Sequence, residues 1–449
     1  MLTRRGVELE KARLSARDVA TIRRDLTVAP VTLEQAFPKR FKVYAETPTT
    51  YVVPRFWAEG KFAFEDVRPP GAAWTHDFVG ALRPDLRQPE AAAAIMDSLG
   101  THGGAIVNLF AGGGKTSLAI WIATKLRTKT MILVHKNFLA DQFAERIRGH
   151  VPTAKVTRIQ GDACDTSGDF VIVMIQTLMT RKYPAETFRE FGFLVVDECH
   201  HAPAESFSQT LVGLAFPAVL GLSATPTRKD GLTRVMHWFL GPTAFAHKRT
   251  NQTNVTVRTV NFKHPSYSMP PPLNKRGDID YAGLVTRLVD LPERTAAIAD
   301  EAQKLAWTGR RVLVLSHRRG HATAIAEELK SRDVDAATYL GGDKAPPDAI
   351  VTCATYALAA EGYDDPRLNG LVLATPSSDV NQACGRVLRG GGGDDPVIVD
   401  IVDHYSLFYS QFVKRTKFYR ETGFATSAGG IEPAAVGGPA AVFSFVDDD

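Results

Sequence analysis

A glycine-rich segment followed by a lysine–threonine pair is the first part of the sequence that could do chemistry. Residues 105–126 read AIVNLF-AGGGKT-SLAIWIATKL, which is an apolar run, three glycines and a helical pattern. A strand that turns through glycines into a helix presents backbone N–H groups and the positive end of the helix dipole to a phosphate. The predicted phosphate loop consists of Ala111, Gly112, Gly113, Gly114, Lys115, Thr116 and Ser117.

Two side chains of this loop have chemical roles of their own. Lys115 can neutralise β- and γ-phosphate oxygens, and the Thr116 hydroxyl can ligate Mg²⁺. The strict phosphate-loop pattern has glycine six residues before the lysine, where this sequence has Leu109. The alternative interpretation is an incidental glycine-rich turn between a strand and a helix.

Two adjacent carboxylates end a second apolar run, FLVVDECHH, at residues 193–201. We predict that Asp197 holds Mg²⁺, directly or through water, and that Glu198 orients and deprotonates an attacking water. The following Cys199, His200 and His201 would also suit zinc, but no second ligand pair stands at zinc-finger spacing. His200 is better interpreted as a link between the nucleotide site and a neighbouring motif.

Strands that alternate with helices must position these groups. Short apolar β-type runs alternate with helical patterns over residues 104–240 and again over 310–402. Such runs are typical of parallel sheets covered by helices on both faces. The fold class is therefore α/β, with two parallel-sheet domains in tandem and a small N-terminal α+β module.

The predicted boundaries follow composition and turn signals. Residues 1–80 form a separate accessory module, 81–241 the first α/β domain, and 242–424 a linker followed by the second. Residues 425–449 are rich in glycine, alanine and proline and are predicted to be a flexible tail with an acidic tip. That tail could dock on a protein partner, or remain free.

Composition excludes several classes of protein. The 449 residues are 44% hydrophobic and 23% charged, as in ordinary globular proteins and unlike fibrous or mainly disordered ones. No apolar run is long enough to cross a bilayer, and the basic start lacks a signal-peptide core. The four cysteines are widely spaced. We therefore expect a cytoplasmic protein, of a bacterium or of a virus-infected host cell.

The net charge of +4 is unevenly distributed. Residues 424–449 hold four acidic side chains and no lysine or arginine, so they contribute −4 and leave +8 for the rest. This mild excess of positive charge permits a polyanionic partner without requiring one.

Four motifs together resemble those of superfamily 2 helicases over roughly residues 82–420. They are AGGGKT, DECH, SAT at 223–225 and QACGRVLR at 382–389. The last has the form Gln-x-x-Gly-Arg-x-x-Arg, unlike the His-Arg-Ile-Gly-Arg-Thr-Gly-Arg of DEAD-box RNA helicases. It is similar to the XPB- and UvsW-like DNA group and to phage- and large-virus-encoded helicases, a group in which Leu109 is also at home. The resemblance implies two RecA-like domains, ATP and Mg²⁺.

The resemblance also implies residue roles. Arg386 and Arg389 would reach across from the second domain as arginine fingers, and Gln382 would sense the γ-phosphate. The alternative for the arginines is an ordinary surface ion pair. Further motif residues would couple the nucleotide site to nucleic acid; they are Ser223, Thr225, Glu361 and Gly362. Helix capping would also explain Thr225.

Two further groups of residues are candidate ligand contacts. Gln88, near Arg83 and Arg87, is a candidate adenine-reading glutamine, although Glu90 competes for the position and a plain helix start is the alternative. The candidate nucleic-acid contacts follow predicted strands, where open α/β sheets bind ligands; they are His135, Lys136, Gln176, Thr177, Arg228, Lys229, Arg318 and Thr355. Most would grip phosphate rather than bases, although any one could be a solvated surface residue.

These features predict an ATP-driven DNA helicase or translocase. By resemblance, branched or forked DNA in repair, recombination or replication is the expected substrate. One alternative is an RNA-directed helicase, against which the last motif argues. The other is a nucleotide-gated DNA-binding module with little turnover, which would not need the water-activating Glu198.

Overall fold

The structure, a computed structural model, divides into two compact units, Met1–Arg249 and Thr250–Asp449. It describes residues 1–30, 39–110, 112–181, 183–200, 204–224, 230–247, 254–275, 277–340, 347–361, 365–387 and 395–430.

The first unit contains both strands and helices along its length. Its strands are β1 (Leu2–Thr3), β2 (Gly6–Glu10), β3 (Thr27–Val28), β4 (Phe41–Lys42), β5 (Ala45–Glu46), β6 (Thr50–Val53), β7 (Gly104–Leu109), β8 (Thr130–Val134), β9 (Val156–Gln160), β10 (Ala163–Cys164), β11 (Phe170–Met174), β12 (Phe193–Val196), β13 (Ala218–Ser223) and β14 (Thr243–His247). Its helices are α1 (Ala16–Asp25), α2 (Arg55–Ala58), α3 (Gln88–His102), α4 (Lys115–Leu126), α5 (Asn137–His150), α6 (Ile175–Thr180), α7 (Ala204–Leu211) and α8 (Thr233–Leu240). Short 3₁₀ turns lie at Lys11–Arg13, Pro84–Leu86 and Ala185–Phe188.

The second unit continues the same alternation. Its strands are β15 (Thr256–Phe262), β16 (Arg311–Ser316), β17 (Ala336–Tyr339), β18 (Val351–Thr355), β19 (Leu368–Leu373), β20 (Val397–Asp403) and β21 (Ala425–Gly430). Its helices are α9 (Tyr281–Val289), α10 (Pro292–Trp307), α11 (Arg319–Lys330), α12 (Tyr356–Glu361), α13 (Asn381–Val387) and α14 (Leu407–Thr422), with a 3₁₀ turn at Pro265–Ser268. None of the helices in the described ranges is long and apolar enough to span a bilayer.

The main sheet of the first unit has the strand order β10-β9-β11-β8-β12-β13-β7-β14. All its neighbouring strands pair in parallel except β10 and β9. Every residue of β7, β8, β11 and β12 is buried. This burial agrees with the continuous apolar runs of the sequence, because a parallel sheet covered on both faces leaves no solvent-facing position.

Helices cover the main sheet with the faces that their apolar spacing predicts. On α5, Leu139, Phe143 and Ile147 are buried in the same core as β7, β8 and β11. The helix ends at His150, two residues before Pro152. A second core on the opposite face includes Phe207 of α7 and Met236 of α8.

The second unit is a sheet of parallel strands in the order β17-β18-β16-β19-β20-β15-β21. On one face α10 and α11 pack through residues that include Ile298 and Ile325. On the other face Ala383 and Cys384 of α13 and Tyr419 of α14 are buried. The predicted α/β class, with parallel sheets in tandem, is thereby confirmed.

The prediction that residues 1–80 form a separate module is wrong. Strands β1, β2, β6 and β5 make a small sheet of their own. Its apolar core is completed by Leu232 and Val235 of the first unit, and Trp74 is buried in the core of the main sheet. So small a sheet cannot bury its apolar face alone, and it shares the core of its neighbour.

The predicted boundaries at 242 and 425 are also corrected. Residues Thr243–His247 form β14, which pairs with β7 in the first sheet, and Thr256–Phe262 form β15 in the second. The region is therefore not only a linker. Residues Ala425–Gly430, predicted to be the start of a flexible tail, pair as β21 with β15. Backbone pairing needs no particular side chains, so composition did not reveal this strand.

We expect acid to destabilise the fold through His321. Burial, with a smaller effect of Arg294, lowers the pKa of His321 from 6.5 to about 3. Below pH 6.5 the imidazole of His321 is protonated in the unfolded chain but stays neutral in the folded chain. The free energy of unfolding therefore has its full value above this pH and falls as the pH drops toward 3. The fall is at most about 1.4 kcal/mol per pH unit. Denaturant unfolding at pH 7 and pH 5 measures it.

The control is His321→Gln, which removes the titrating ring while other ionisable groups stay the same. The free energy of unfolding of this variant should fall less between pH 7 and pH 5 than that of the unmodified protein. An equal fall in both proteins would contradict the assignment.

Candidate nucleotide and nucleic-acid sites

The order of the parallel strands brings the candidate residues of the first unit together. Strands β7, β13, β12 and β8 lie next to one another in this order across the sheet. The phosphate loop follows β7, Ser223 ends β13, and Asp197 and Glu198 follow β12. Because parallel strands end at the same edge of a sheet, these groups lie side by side.

The phosphate loop depends on glycine at two positions. Gly112 and Gly114 have φ of 89° and 71°, in the left-handed region. A Cβ atom on Gly114 would lie 2.1 Å from Nε2 of Gln88. The loop then enters α4 at Lys115, and the N–H groups of a first helical turn have no intrahelical acceptor. This geometry can receive an anion.

Gln88 contacts the phosphate loop from the start of α3. Its buried amide donates from Nε2 to the carbonyl of Gly113 at 3.2 Å, and its Oε1 accepts from the Arg83 N–H at 2.8 Å. The candidate glutamine therefore lies beside the loop and holds its backbone through the Gly113 carbonyl. Reading of adenine by Gln88 stays a prediction.

Lys115 turns back over the loop. Its ammonium donates to the carbonyl of Leu109 at 3.1 Å and lies 4.0 Å from Oε1 of Glu198. The side chain is 10% exposed. Leu109 itself is buried in the sheet core, so the departure from the strict glycine pattern places an apolar side chain in the core while its carbonyl still contacts Lys115.

Asp197 is a buried carboxylate in an environment that opposes its charge. Burial and the neighbouring Glu198 raise the pKa of Asp197 to about 7, and Lys115 opposes the rise. Its backbone N–H donates to the carbonyl of Leu133 at 3.0 Å, which continues the β12–β8 ladder past the end of the strand. Glu198 has φ of 45°, a left-handed conformation that costs energy for a side chain other than glycine.

These residues fit a bound divalent cation. Carboxylate and hydroxyl oxygens are the ligands that Mg²⁺ prefers. A carboxylate whose charge is opposed by burial and by a second carboxylate gains stability when a cation binds. Asp197, together with the Thr116 hydroxyl in the first turn of α4, is the candidate ligand set.

Ser223 and His200 are in direct contact, as the predicted coupling role requires. The Ser223 hydroxyl lies 2.9 Å from Nδ1 of His200, and Nδ1 lies 3.5 Å from Oε2 of Glu198. A chain of close contacts therefore runs from the candidate base Glu198 through His200 to Ser223 at the end of β13. That this path transmits strand movement stays a prediction.

Asn108 is a polar residue of the site that the sequence analysis missed. It stands directly opposite Ser223 in the β13–β7 register and is 6% exposed. Its Oδ1 is buried and accepts no hydrogen bond from the described residues. The signal was a single asparagine inside the apolar run AIVNLF, immediately before the phosphate loop.

The candidate nucleic-acid contacts of the first unit are partly occupied by contacts within the unit. Gln176 is exposed on α6 and donates to the carbonyl of His135 at 2.8 Å, while Lys136 precedes α5. Thr177 is buried and accepts from the Gly161 N–H at 3.3 Å. The structure therefore brings His135 and Gln176 together, and gives Thr177 an internal contact.

The candidate residues of the second unit also follow strands. Arg318 follows β16 and donates to the carbonyl of Ala282 at 2.9 Å, and Thr355 ends the neighbouring β18, where its hydroxyl accepts from the Leu358 N–H at 3.4 Å. Gln382 and Arg386 are one helical turn apart on α13. Glu361 is the last residue of α12.

The remaining predicted site residues lie outside the described residues. They are Ala111, Thr225, Arg228, Lys229, Gly362 and Arg389. Their roles stay predictions from the sequence.

Comparisons with known proteins identify this arrangement. Residues 81–228 match the family described as "Type III restriction enzyme, res subunit". A putative ATP-dependent RNA helicase of Acanthamoeba polyphaga mimivirus, L396, is 28% identical over 442 residues, 94% of this chain and 85% of that protein. The probable helicase D10 of Escherichia phage T5 is 27% identical over 339 residues, 72% of each chain. This chain is similar to superfamily 2 helicases of phages and large viruses.

The chain also resembles a solved structure in fold. The helicase domain of Hef from Pyrococcus furiosus is 15% identical, and the match covers 75% of this chain and all of that domain with a TM-score of 0.50. The predicted similarity to phage- and large-virus-encoded helicases is thus confirmed by the sequence relatives, and the tandem parallel-sheet architecture by the fold.

We expect Gly114→Ala to weaken ATP binding by this protein at least about tenfold. The added methyl would displace the Gln88 amide and place alanine in the left-handed region, which costs roughly 1–2 kcal/mol. Isothermal titration with ATP measures the dissociation constant.

The matched control is Gly100→Ala. Gly100 is exposed on α3, and a Cβ there would meet no atom within 4 Å. This variant should bind ATP normally and gain about 0.5–1 kcal/mol of stability from its better helix propensity. Equal ATP affinity of the two variants would show that the loop does not need glycine at position 114.

Proposed function

We propose that this protein is an ATP-dependent superfamily 2 DNA helicase or translocase that remodels branched or forked DNA in repair, recombination or replication. The observation that carries the proposal is the placement of Lys115, Asp197 and Glu198 at the ends of nearby strands of one sheet. An anion-binding loop beside a buried carboxylate and a second, less buried one is what hydrolysis of a nucleoside triphosphate requires.

In the proposed mechanism, the residues of the first unit bind and hydrolyse ATP. The glycine loop and Lys115 hold the phosphates, and Glu198 positions the attacking water and accepts its proton. Thr116 and Asp197 would hold Mg²⁺, which supplies charge stabilisation to the phosphate oxygens. Gln88 holds the loop through Gly113 and, in the proposal, also contacts the adenine.

Residues of the second unit complete the proposed chemistry. Gln382 senses the γ-phosphate, and Arg386 and Arg389 stabilise the charge that develops on it during transfer. Ser223, Thr225 and His200, with Glu361 and Gly362, couple hydrolysis to movement along the nucleic acid.

Nucleic-acid binding is proposed to rest mainly on backbone contacts. His135, Lys136 and Gln176 follow neighbouring strands of the first sheet, as Arg318 and Thr355 do in the second. Contacts of this kind to phosphate give affinity that falls steeply with salt and little preference for sequence. Thr177 contributes indirectly, because its hydroxyl already contacts Gly161.

RNA is the second candidate substrate. The mimivirus relative, which matches 94% of this chain, is named a putative RNA helicase. The form of the motif at 382–389 supports DNA instead, because it differs from that of DEAD-box RNA helicases. The presence of Glu198 beside Asp197 argues against a binding module with little turnover, since a binder has no use for a water-activating base.

We expect ATP hydrolysis that is stimulated by nucleic acid and abolished in Lys115→Ala and Glu198→Gln. Lysine removal takes away the phosphate contact, whereas the glutamine keeps the size of Glu198 and loses its basicity. Phosphate release at saturating ATP measures both. Glu198→Gln should still bind ATP, and turnover in this variant equal to that of the unmodified protein would refute the assignment.

We expect forked and four-way DNA to stimulate turnover more than single-stranded RNA of the same length. The measurement is ATP hydrolysis and strand separation with single-stranded, duplex, forked and four-way DNA, and with matched RNA, at two salt concentrations. Stimulation by RNA alone would favour the second candidate. Background hydrolysis with every nucleic acid, despite tight binding, would favour the binding module.

A further inference from the structure

The segment that leads into α13 is held by four side chains through four consecutive backbone carbonyls. Arg294 donates to the carbonyl of Ala374 at 2.7 Å, and Tyr356 donates to that of Thr375 at 2.8 Å. Tyr281 donates to the carbonyl of Pro376 at 3.3 Å, and Arg415 to that of Ser377 at 2.7 Å. We call these four donors the carbonyl clamp, and residues 374–377 the clamped segment.

The two arginines of the carbonyl clamp are themselves fixed by buried carboxylates. Arg294 makes a bidentate pair with Asp403 at 2.9 and 2.7 Å, and both residues are at most 1% exposed. Arg415 makes a bidentate pair with Asp400 at 2.9 and 2.8 Å and is 2% exposed. In both cases two nitrogens hold the carboxylate and the third holds the clamped segment.

The two pairs approach from opposite faces of the sheet. Asp400 and Asp403 are three residues apart on β20, and successive side chains of a strand alternate between faces. Arg294 belongs to α10, which packs on one face, and Arg415 belongs to α14, on the other. The clamped segment follows β19, the strand next to β20, so it is held from both sides.

A buried guanidinium–carboxylate pair is an expensive way to stabilise a fold. Well-packed apolar side chains of similar volume often serve as well or better, whereas ionic pairs can fix one geometry among several. Side-chain bonds to four successive carbonyls leave a segment little freedom to shift. The arrangement therefore points to a segment whose position matters.

The clamped segment determines where α13 begins. Only three residues separate Ser377 from Asn381, the first residue of α13, and Val380 among them is buried. The buried side of the helix then packs through Ala383, Cys384 and Val387. Gln382 and Arg386 project from the same short helix.

We infer that the carbonyl clamp is a positioning device for Gln382 and Arg386. The inference rests on the proposed function, in which these two side chains act on the γ-phosphate. Arg294, Arg415, Tyr281 and Tyr356 are positioning residues, because they contact the backbone that carries the reacting groups. A displacement of a reacting group by about 1 Å, even when its cause lies away from the reacting atoms, can lower turnover by orders of magnitude without affecting ligand binding.

Tyrosine hydroxyls allow a matched test. The double variant Tyr281→Phe/Tyr356→Phe removes two bonds to the clamped segment. The control double variant Tyr267→Phe/Tyr419→Phe removes two hydroxyls that donate to Asp403 and Asp400 and leaves the carbonyls untouched. The control loses two hydrogen bonds in the second unit, and the clamp double variant loses the two bonds to the clamped segment and one that the Tyr281 hydroxyl accepts from Gln411. The thermal midpoint, the dissociation constant for a non-hydrolysable ATP analogue, and kcat with forked DNA are measured for each.

The expected result is a kcat about tenfold lower in the clamp double variant, with analogue binding unchanged, and a kcat within about twofold of normal in the control. In an Arg386→Ala background the clamp double variant should cause a smaller loss than in the unmodified protein, because the part of its effect that acts through Arg386 is already gone. If the clamp double variant loses its unfolding transition, the two single variants are compared in the same way.

Three outcomes would overturn the inference while leaving the proposed function intact. The first is an equal loss of kcat in the clamp and control variants, which would mean that the loss comes from lower stability alone. The second is a loss that multiplies with that of Arg386→Ala, and the third is no loss at all. Full turnover in Arg386→Ala itself would instead refute the proposed role of α13, and the inference with it.

Discussion

The candidate nucleotide site depends on one buried carboxylate whose charge the fold opposes. Asp197 is 9% exposed beside Glu198, and these two facts raise its pKa while Lys115 opposes the rise. Glu198 adds backbone strain, with φ of 45°. Energy costs of this kind persist where the rest of the structure enforces them, and they concentrate at functional sites. Here the enforcement comes from β12 and its parallel neighbours β8 and β13, which fix the backbone on both sides.

The buried charges of the second unit have the opposite character. Asp400 and Asp403 are each matched by an arginine in a bidentate pair, and each also accepts from a tyrosine hydroxyl. Such fully bonded pairs create no site for a ligand. They instead transmit rigidity to the segment that their third nitrogens hold. The first unit thus contains a buried carboxylate that a bound cation can stabilise. In the second unit, fully hydrogen-bonded arginine–aspartate pairs hold a backbone segment in place.

The sequence predicts chemical groups whose defining residues stand together within a short stretch of chain. Glycines 112–114, Lys115 and the Asp197–Glu198 pair stand in recognisable strand–loop contexts, and parallel-sheet geometry brings them together. It does not predict contacts between residues far apart in the chain. Arg294 and Ala374 are 80 residues apart, and nothing near Arg294 marks it as a donor to that carbonyl. Asn108 was missed for a related reason, since its meaning comes from its register with Ser223.

The shared core of the first unit changes how the N-terminal residues relate to the nucleotide site. Leu232 and Val235 are buried in the core of the small N-terminal sheet, seven or more residues after the SAT motif. The same α8 packs through Met236 and Leu240 against the main sheet, in the core that contains Cys199 next to Glu198. Residues 1–80 therefore cannot be treated as an appended module with independent specificity. A ligand that shifts the small sheet would act on α8, and α8 shares the core of the main sheet with Cys199, the residue after Glu198.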